Sequence, residues 1–234
     1  MTKAWYELDS RPTGINYWAA VVRKQPSAIL VAIQLLAIVL LPWVESESWG
    51  RAAIAGISLI AVTFGIWTVR STPALTWLAL LIGFPAFLLE VWSVMDVENV
   101  PVTFSAHLLL SVFYFYIAYG LIAYVFADTW VTKDEFFAVA AAFTVLLFAF
   151  AYLYVAVQTL VPDSFAGGGS GGRRSFLELL YFSGANLTSV GLSDVIPVKP
   201  HARAATMIEQ LTGVLYVAMV ISRLVALTVM RSRS

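Results

Sequence analysis

The sequence has no cysteine, only two histidines and few charges. Without cysteine there can be no disulfide framework, no thiolate metal site and no cysteine nucleophile. His107 and His201 stand far apart without ligand spacing, so no zinc-type site is expected. Neither Ser183-Gly184 nor Gly191-Leu192-Ser193 has a Gly-x-Ser-x-Gly context, and no phosphate-cradling loop occurs, which leaves catalysis without a motif. Charged residues make up 12% of the chain, well below the roughly 25% of soluble domains. The 14 basic and 14 acidic residues cancel, so neither a nucleic-acid partner nor an acidic tail is indicated.

What the chain has is apolar length. Hydrophobic residues make up 60% and mean hydropathy is +0.84, which makes lipid the expected solvent. A span needs ~20 mostly apolar residues, and six runs qualify: Ser27–Val44, Arg51–Val69, Ala74–Met95, Phe104–Ala127, Phe136–Val161 and Ala204–Met230. Basic residues near the span ends number eight on the side of the termini and five on the other. That bias predicts cytoplasmic termini. The first 26 residues carry Lys3, Arg11, Arg23 and Lys24 without an apolar core before a cleavage site, and read as a cytoplasmic lead-in rather than a signal peptide.

Between the last two runs the pattern changes. The glycine-rich run Gly167–Gly172 favours a flexible loop, native or engineered. Ser175–Leu187 is apolar yet too short to span, which suggests a re-entrant segment. Thr188–His201 is polar and broken by proline. Irregular backbone at membrane depth survives only where protein buries it or a water-filled cavity receives it, so a pathway is implied.

These residues resemble the potassium-channel pore family. The match runs from about Ser175 to Leu227: Leu179-Leu180-Tyr181-Phe182-Ser183 as pore helix, Thr188-Ser189-Val190-Gly191-Leu192-Ser193-Asp194 as filter, then Pro197, Ala202-Arg203, Glu209, Gly213, Leu215-Tyr216 and Arg223-Leu224-Val225. The resemblance implies an all-α membrane protein with six transmembrane helices and a re-entrant pore helix and filter between the fifth and sixth. It also implies a four-fold homotetramer in the plasma membrane of a bacterium or archaeon. A cytoplasmic segment (1–26) and a four-helix membrane domain (27–133) would precede a pore domain (134–234). The latter would comprise outer helix 136–161, turret 162–174, pore helix 175–187, filter 188–194 and inner helix 204–230. Carbonyl groups of Ser189, Val190, Gly191 and Leu192 would hold a dehydrated monovalent cation, potassium or sodium, with Thr188 and Ser193 at the filter's ends. Tyr181 and Asp194 would brace the filter, Gly213 would be the inner-helix hinge, and Arg223 would sit at the inner gate or interface. Besides the permeant ion no cofactor is implied; lipid and other copies of the chain are the partners.

Three positions depart from the family's Thr-Val-Gly-Tyr-Gly-Asp: Ser189, Leu192 and Ser193. Leu192 lacks an anchoring hydroxyl. A side chain at Ser193 is expected to be strained by on the order of 1 kcal/mol, since the family's glycine there takes a conformation that L-residues avoid. Weak selectivity, sodium conduction or a non-conducting scaffold are the alternatives. Phe104–Ala127 contains no Arg or Lys, so the four-helix domain lacks the charge that moves in a voltage sensor. Snorkelling is the simplest role for Arg223, and Glu90 reads as interfacial. Glu209 must find a buried partner. No secondary-transporter pattern of paired interrupted helices and no cytoplasmic ligand-binding domain is expected.

Overall fold

The computed structural model describes residues 26–45, 76–96, 99–127, 133–168 and 172–232. The lead-in, the expected span Arg51–Val69 and the centre of the glycine run lie outside the described residues. Within them are six helices: α1 (Pro26–Glu45), α2 (Thr76–Met95), α3 (Val100–Ala127), α4 (Lys133–Leu160), α5 (Phe176–Leu187) and α6 (Pro200–Ser232). All but α5 contain a stretch long and apolar enough to cross a membrane. At 12 residues α5 is ~18 Å long, short of a ~30 Å hydrocarbon core.

Helix starts fall earlier than hydropathy suggests, for local reasons. Pro26 and Pro200 open α1 and α6, and Pro101 lies in the first turn of α3, where a missing N–H costs nothing. The Asn99 side-chain oxygen accepts from the Val102 amide at 3.3 Å and caps that same turn. An all-helical reading also overlooked a two-stranded antiparallel ribbon, in which β1 (Phe165–Gly167) pairs with β2 (Val195–Pro197).

The bundle is held by small-residue stripes. On α2 the buried positions are Ala79, Gly83, Ala86, Glu90 and Ser93, which recur every three or four residues and form one face toward α3. On α4, Ala138, Ala141, Ala142, Ala149 and Ala151 are wholly buried. Small side chains let backbones approach closely, which is how helices associate where water supplies no drive. The α3–α4 pairing is the most extensive, with α1 packed on α4 and α5 set between α4 and α6. The Ser111 hydroxyl donates to the Ala149 carbonyl at 2.8 Å and pins that antiparallel register.

Helices α1 and α4 begin side by side. Asp134, in the first turn of α4, accepts from the Ser27 amide at 3.2 Å and the Ser27 hydroxyl at 3.0 Å. One carboxylate thus serves the positive ends of two helices. Burial pushes its carboxyl above the usual carboxylate range, against the opposing pull of the Ser27 hydrogen bonds. A carboxyl raised on folding stabilises most below its unfolded pKa, and that contribution is lost as pH rises through the folded pKa. Thermal unfolding in detergent should therefore show a stability decline beginning above ~pH 4, and Asp134→Asn should flatten that part of the profile.

Candidate ion pathway

Helix α5 is fixed at both ends by its own sequence. Ser175 caps its start: the Glu178 amide donates to the Ser175 hydroxyl at 3.2 Å, and the Ser175 amide donates to the Glu178 carboxylate at 2.7 Å. Such a reciprocal box satisfies two otherwise orphaned donors. Arg174, itself buried, stands 4.0 Å from Glu178 and donates to the carbonyls of Gly167 and Gly172. The Gln158 side chain donates to the Arg174 carbonyl and accepts from its amide, at 2.9 and 3.0 Å. Glycine is required at 167, where φ is +88° and a side chain would overlap the Asp194 carbonyl. The ribbon thereby ties the loop before α5 to the strand that follows residues 188–194.

Past Leu187 the chain turns back on the helix it has left. The amides of Thr188, Ser189 and Gly191 donate to the carbonyls of Gly184, Asn186 and Ala185, at 3.2, 2.9 and 2.9 Å. The Thr188 hydroxyl adds a bond to the Gly184 carbonyl at 2.7 Å. Last-turn carbonyls that would stand orphaned are thus satisfied by donors of residues 188–191. Among the described residues no donor meets the carbonyls of Thr188, Ser189, Val190 or Leu192, whereas the Gly191 carbonyl accepts from the Ser193 amide at 3.1 Å. Val190 and Leu192 are 61% and 70% exposed, large apolar groups left mostly uncovered by the described residues.

The backbone strain falls elsewhere than the sequence suggests. Ser193 is not in the left-handed region; Ser189 is, at φ +60°, alongside Gly191 at +71°. Ser193 avoids the costly conformation by closing its amide onto Gly191, and its hydroxyl accepts from the Val195 amide at 3.1 Å. The cost of about 1 kcal/mol for an L-residue at positive φ therefore attaches to Ser189.

Behind this segment lies a polar cluster whose partners the sequence did not name. Glu209 on α6 is fully buried, and its carboxylate accepts from the Tyr154 hydroxyl on α4 and, at 2.5 Å, from the Ser183 hydroxyl on α5. Ser183 also lies 2.9 Å from the Leu147 carbonyl, a second acceptor for its single proton. One turn away the Gln210 amide donates to the Asn186 side chain at 2.8 Å, while Asn186 donates to the Phe182 carbonyl. Three helices thus converge on one site. The adjacent polar pair Glu209-Gln210 in an apolar helix was the readable signal; Tyr154 carried none.

Gly213 has a different duty from a hinge alone. It lies within the unbroken helix α6, and a Cβ there would overlap the Leu187 carbonyl oxygen and crowd its carbon. Only glycine lets α6 pass so close to the end of α5. Arg223 sits over the Phe126 ring, 5.3 Å from its centroid, which joins the late part of α6 to the end of α3. Tyr181 and Asp194 line one hollow of about 790 Å³ together with Glu178, Gly191, Leu192 and Ser193, but no hydrogen bond joins the two within one chain. Glu90 is buried against His107 rather than interfacial, at 4% exposure.

No curated protein and no solved structure matches the chain. A family model described as ion channel matches residues 140–230, which run from the first turns of α4 to the end of α6. Over that stretch the chain is similar to an ion-channel family, in keeping with the resemblance to potassium-channel pores.

Proposed function

We propose that four copies of this chain form a cation channel in which residues 188–193 make the selectivity filter and potassium is the favoured ion. The observation that carries this reading is the row of carbonyls at Thr188, Ser189, Val190 and Leu192 that accept no bond among the described residues, on a segment whose Thr188, Ser189 and Gly191 amides are spent on the helix behind it. Such oxygens can replace the water shell of a dehydrated cation. One chain offers them from one side only, and a ring needs symmetric copies. The exposed apolar surface agrees: Ile208, Leu211, Val214 and Leu215 on α6 are 57–64% exposed beside the filter helix. With the termini cytoplasmic and Arg51–Val69 as a further span, the filter would open outward. Helix α5 would then be re-entrant, its negative C-terminal dipole directed at the ion's path.

Potassium preference should be modest because Ser193 engages the Gly191 carbonyl and Leu192 brings no hydroxyl. A non-selective cation pore is the second reading, favoured by that one bond. Native mass spectrometry should show four chains per particle. The double variant Leu192→Tyr/Ser193→Gly frees position 193 for positive φ and should raise the potassium-to-sodium permeability ratio about tenfold, the equivalent of ~1.4 kcal/mol. An unchanged ratio would remove these two positions from the account of selectivity.

A further inference from the structure

Helices α1, α2 and α3 contain no Arg or Lys, yet α2 and α3 bury an ionisable pair between them. Glu90 on α2 and His107 on α3 face each other, with 3.9 Å between the carboxylate Oε2 and the imidazole Nε2. Among the described residues that buried Oε2 has no hydrogen-bond partner, and the buried Thr103 hydroxyl nearby on α3 has none either. Ionisable residues inside a membrane segment are expensive to keep and mark functional positions.

The tautomer follows from geometry. His107 Nδ1 lies 2.6 Å from the Thr103 carbonyl oxygen, which can only accept, so Nδ1 carries a proton. Nε2 is then the nitrogen that gains or loses one, and it is the atom that faces Glu90. With one proton between Oε2 and Nε2 the pair is neutral, either as carboxylic acid with imidazole or as carboxylate with imidazolium. Removing that proton leaves an unpaired buried carboxylate, and adding a second leaves an unpaired imidazolium; both are costly where water is excluded. Among the described residues, the other titratable groups near the pair are Tyr114 on α3 and Tyr152 on α4, whose ring centroid is 6.1 Å from that of His107. Asp96 lies at the loop beyond, bonded to Asn99.

Tyr152 leads to the filter. Its ring packs 4.8 Å from Phe176, the first residue of α5, and 5.4 Å from Tyr114. The His107 ring is thus two aromatic contacts from the helix whose last turn holds the filter segment. The imidazole is 15% exposed, and it lies about two turns from the α3 start, so protons have a short way in from the end of the bundle that carries Phe176.

We propose that Glu90 and His107 form a proton-binding site that adjusts conduction through Tyr152 and Phe176. The proposal rests on the channel reading for its output and on the pair's geometry for its input, and each has its own measurement. Full-length protein in liposomes should show potassium flux that changes at least about threefold between about pH 5 and pH 8 on the filter side. His107→Gln and Glu90→Gln should each reduce that change to less than about 1.5-fold, and His201→Gln should leave it intact. His201→Gln also leaves one imidazole in the chain, so its nitrogen resonances can be titrated directly in detergent. Nδ1 should stay protonated, and the protonation of Nε2 should respond to Glu90→Gln. A pH response that survives His107→Gln overturns the coupling. An Nε2 titration indifferent to Glu90→Gln, or titration at Nδ1 instead, overturns the site. If no variant and no wild type conducts, it is the channel reading that fails, and the imidazole titration alone upholds or refutes the proton site.

Discussion

Gly213→Ala is expected to destabilise the packing of α6 on α5, although alanine normally favours a helix. In an ordinary helix interior this change gains about 1 kcal/mol. Here the added methyl would overlap the Leu187 carbonyl, a backbone group that cannot turn aside as a side chain would. Relief requires α6 to move off α5, which strains the bonds from Gln210 to Asn186 and from Ser183 to Glu209. Overpacking of this kind costs roughly 1–3 kcal/mol, enough to outweigh the propensity gain. The matched control is Gly184→Ala on α5, where a Cβ would meet only Leu147 Cδ1 at 3.5 Å, an ordinary contact. Thermal unfolding and the assembled fraction in detergent should fall for the first variant and hold for the second. A hinge role alone would reverse the emphasis, with assembly intact in Gly213→Ala and only gating altered.

Glu209→Ala should be the most damaging single change in the cluster, and Glu209→Gln should be tolerated. Alanine leaves the buried Tyr154 hydroxyl without its acceptor, at a cost of about 1–3 kcal/mol. It also opens a cavity where α4, α5 and α6 meet, so the total should reach roughly 2–5 kcal/mol. Ser183 suffers less, because its proton can turn to the Leu147 carbonyl at 2.9 Å. Glutamine exploits that freedom: its oxygen accepts from Tyr154 while its amide donates to Ser183, whose own proton goes to Leu147. The melting transition of the Gln variant should stay within about 1 kcal/mol of wild type. A loss as large as that of Ala would mean that the site requires a carboxyl group rather than a hydrogen-bonding shape.

The parts of this protein legible from sequence were those with long or unusual patterns. Apolar runs located five of the described helices, since in lipid the backbone leaves few alternatives to helix. The short run before Thr188, set between a glycine-rich loop and a polar stretch, marked α5 and the segment after it. Ends were less legible because they depend on caps: Pro26, Asn99 and Pro200 start helices ahead of the first strongly apolar residue. The ribbon joining Phe165–Gly167 to Val195–Pro197 escaped notice, since three-residue strands carry no period and their pairing spans the whole α5 hairpin. Ser193 shows the limit of reading a site by resemblance. Ser193 does not take the conformation expected of a glycine there, and the positive φ of an L-residue in this segment is at Ser189. Glu209 announced its need for partners, but which helix supplied them depended on the convergence of α4, α5 and α6.

Flux through the reconstituted protein tests the central claim most directly. Liposomes loaded with potassium and diluted into sodium or into an impermeant cation should show cation flux, with a reversal potential displaced toward that of potassium by less than full selectivity would give. Absence of flux under every one of these gradients, from a preparation shown to be tetrameric, would contradict the account.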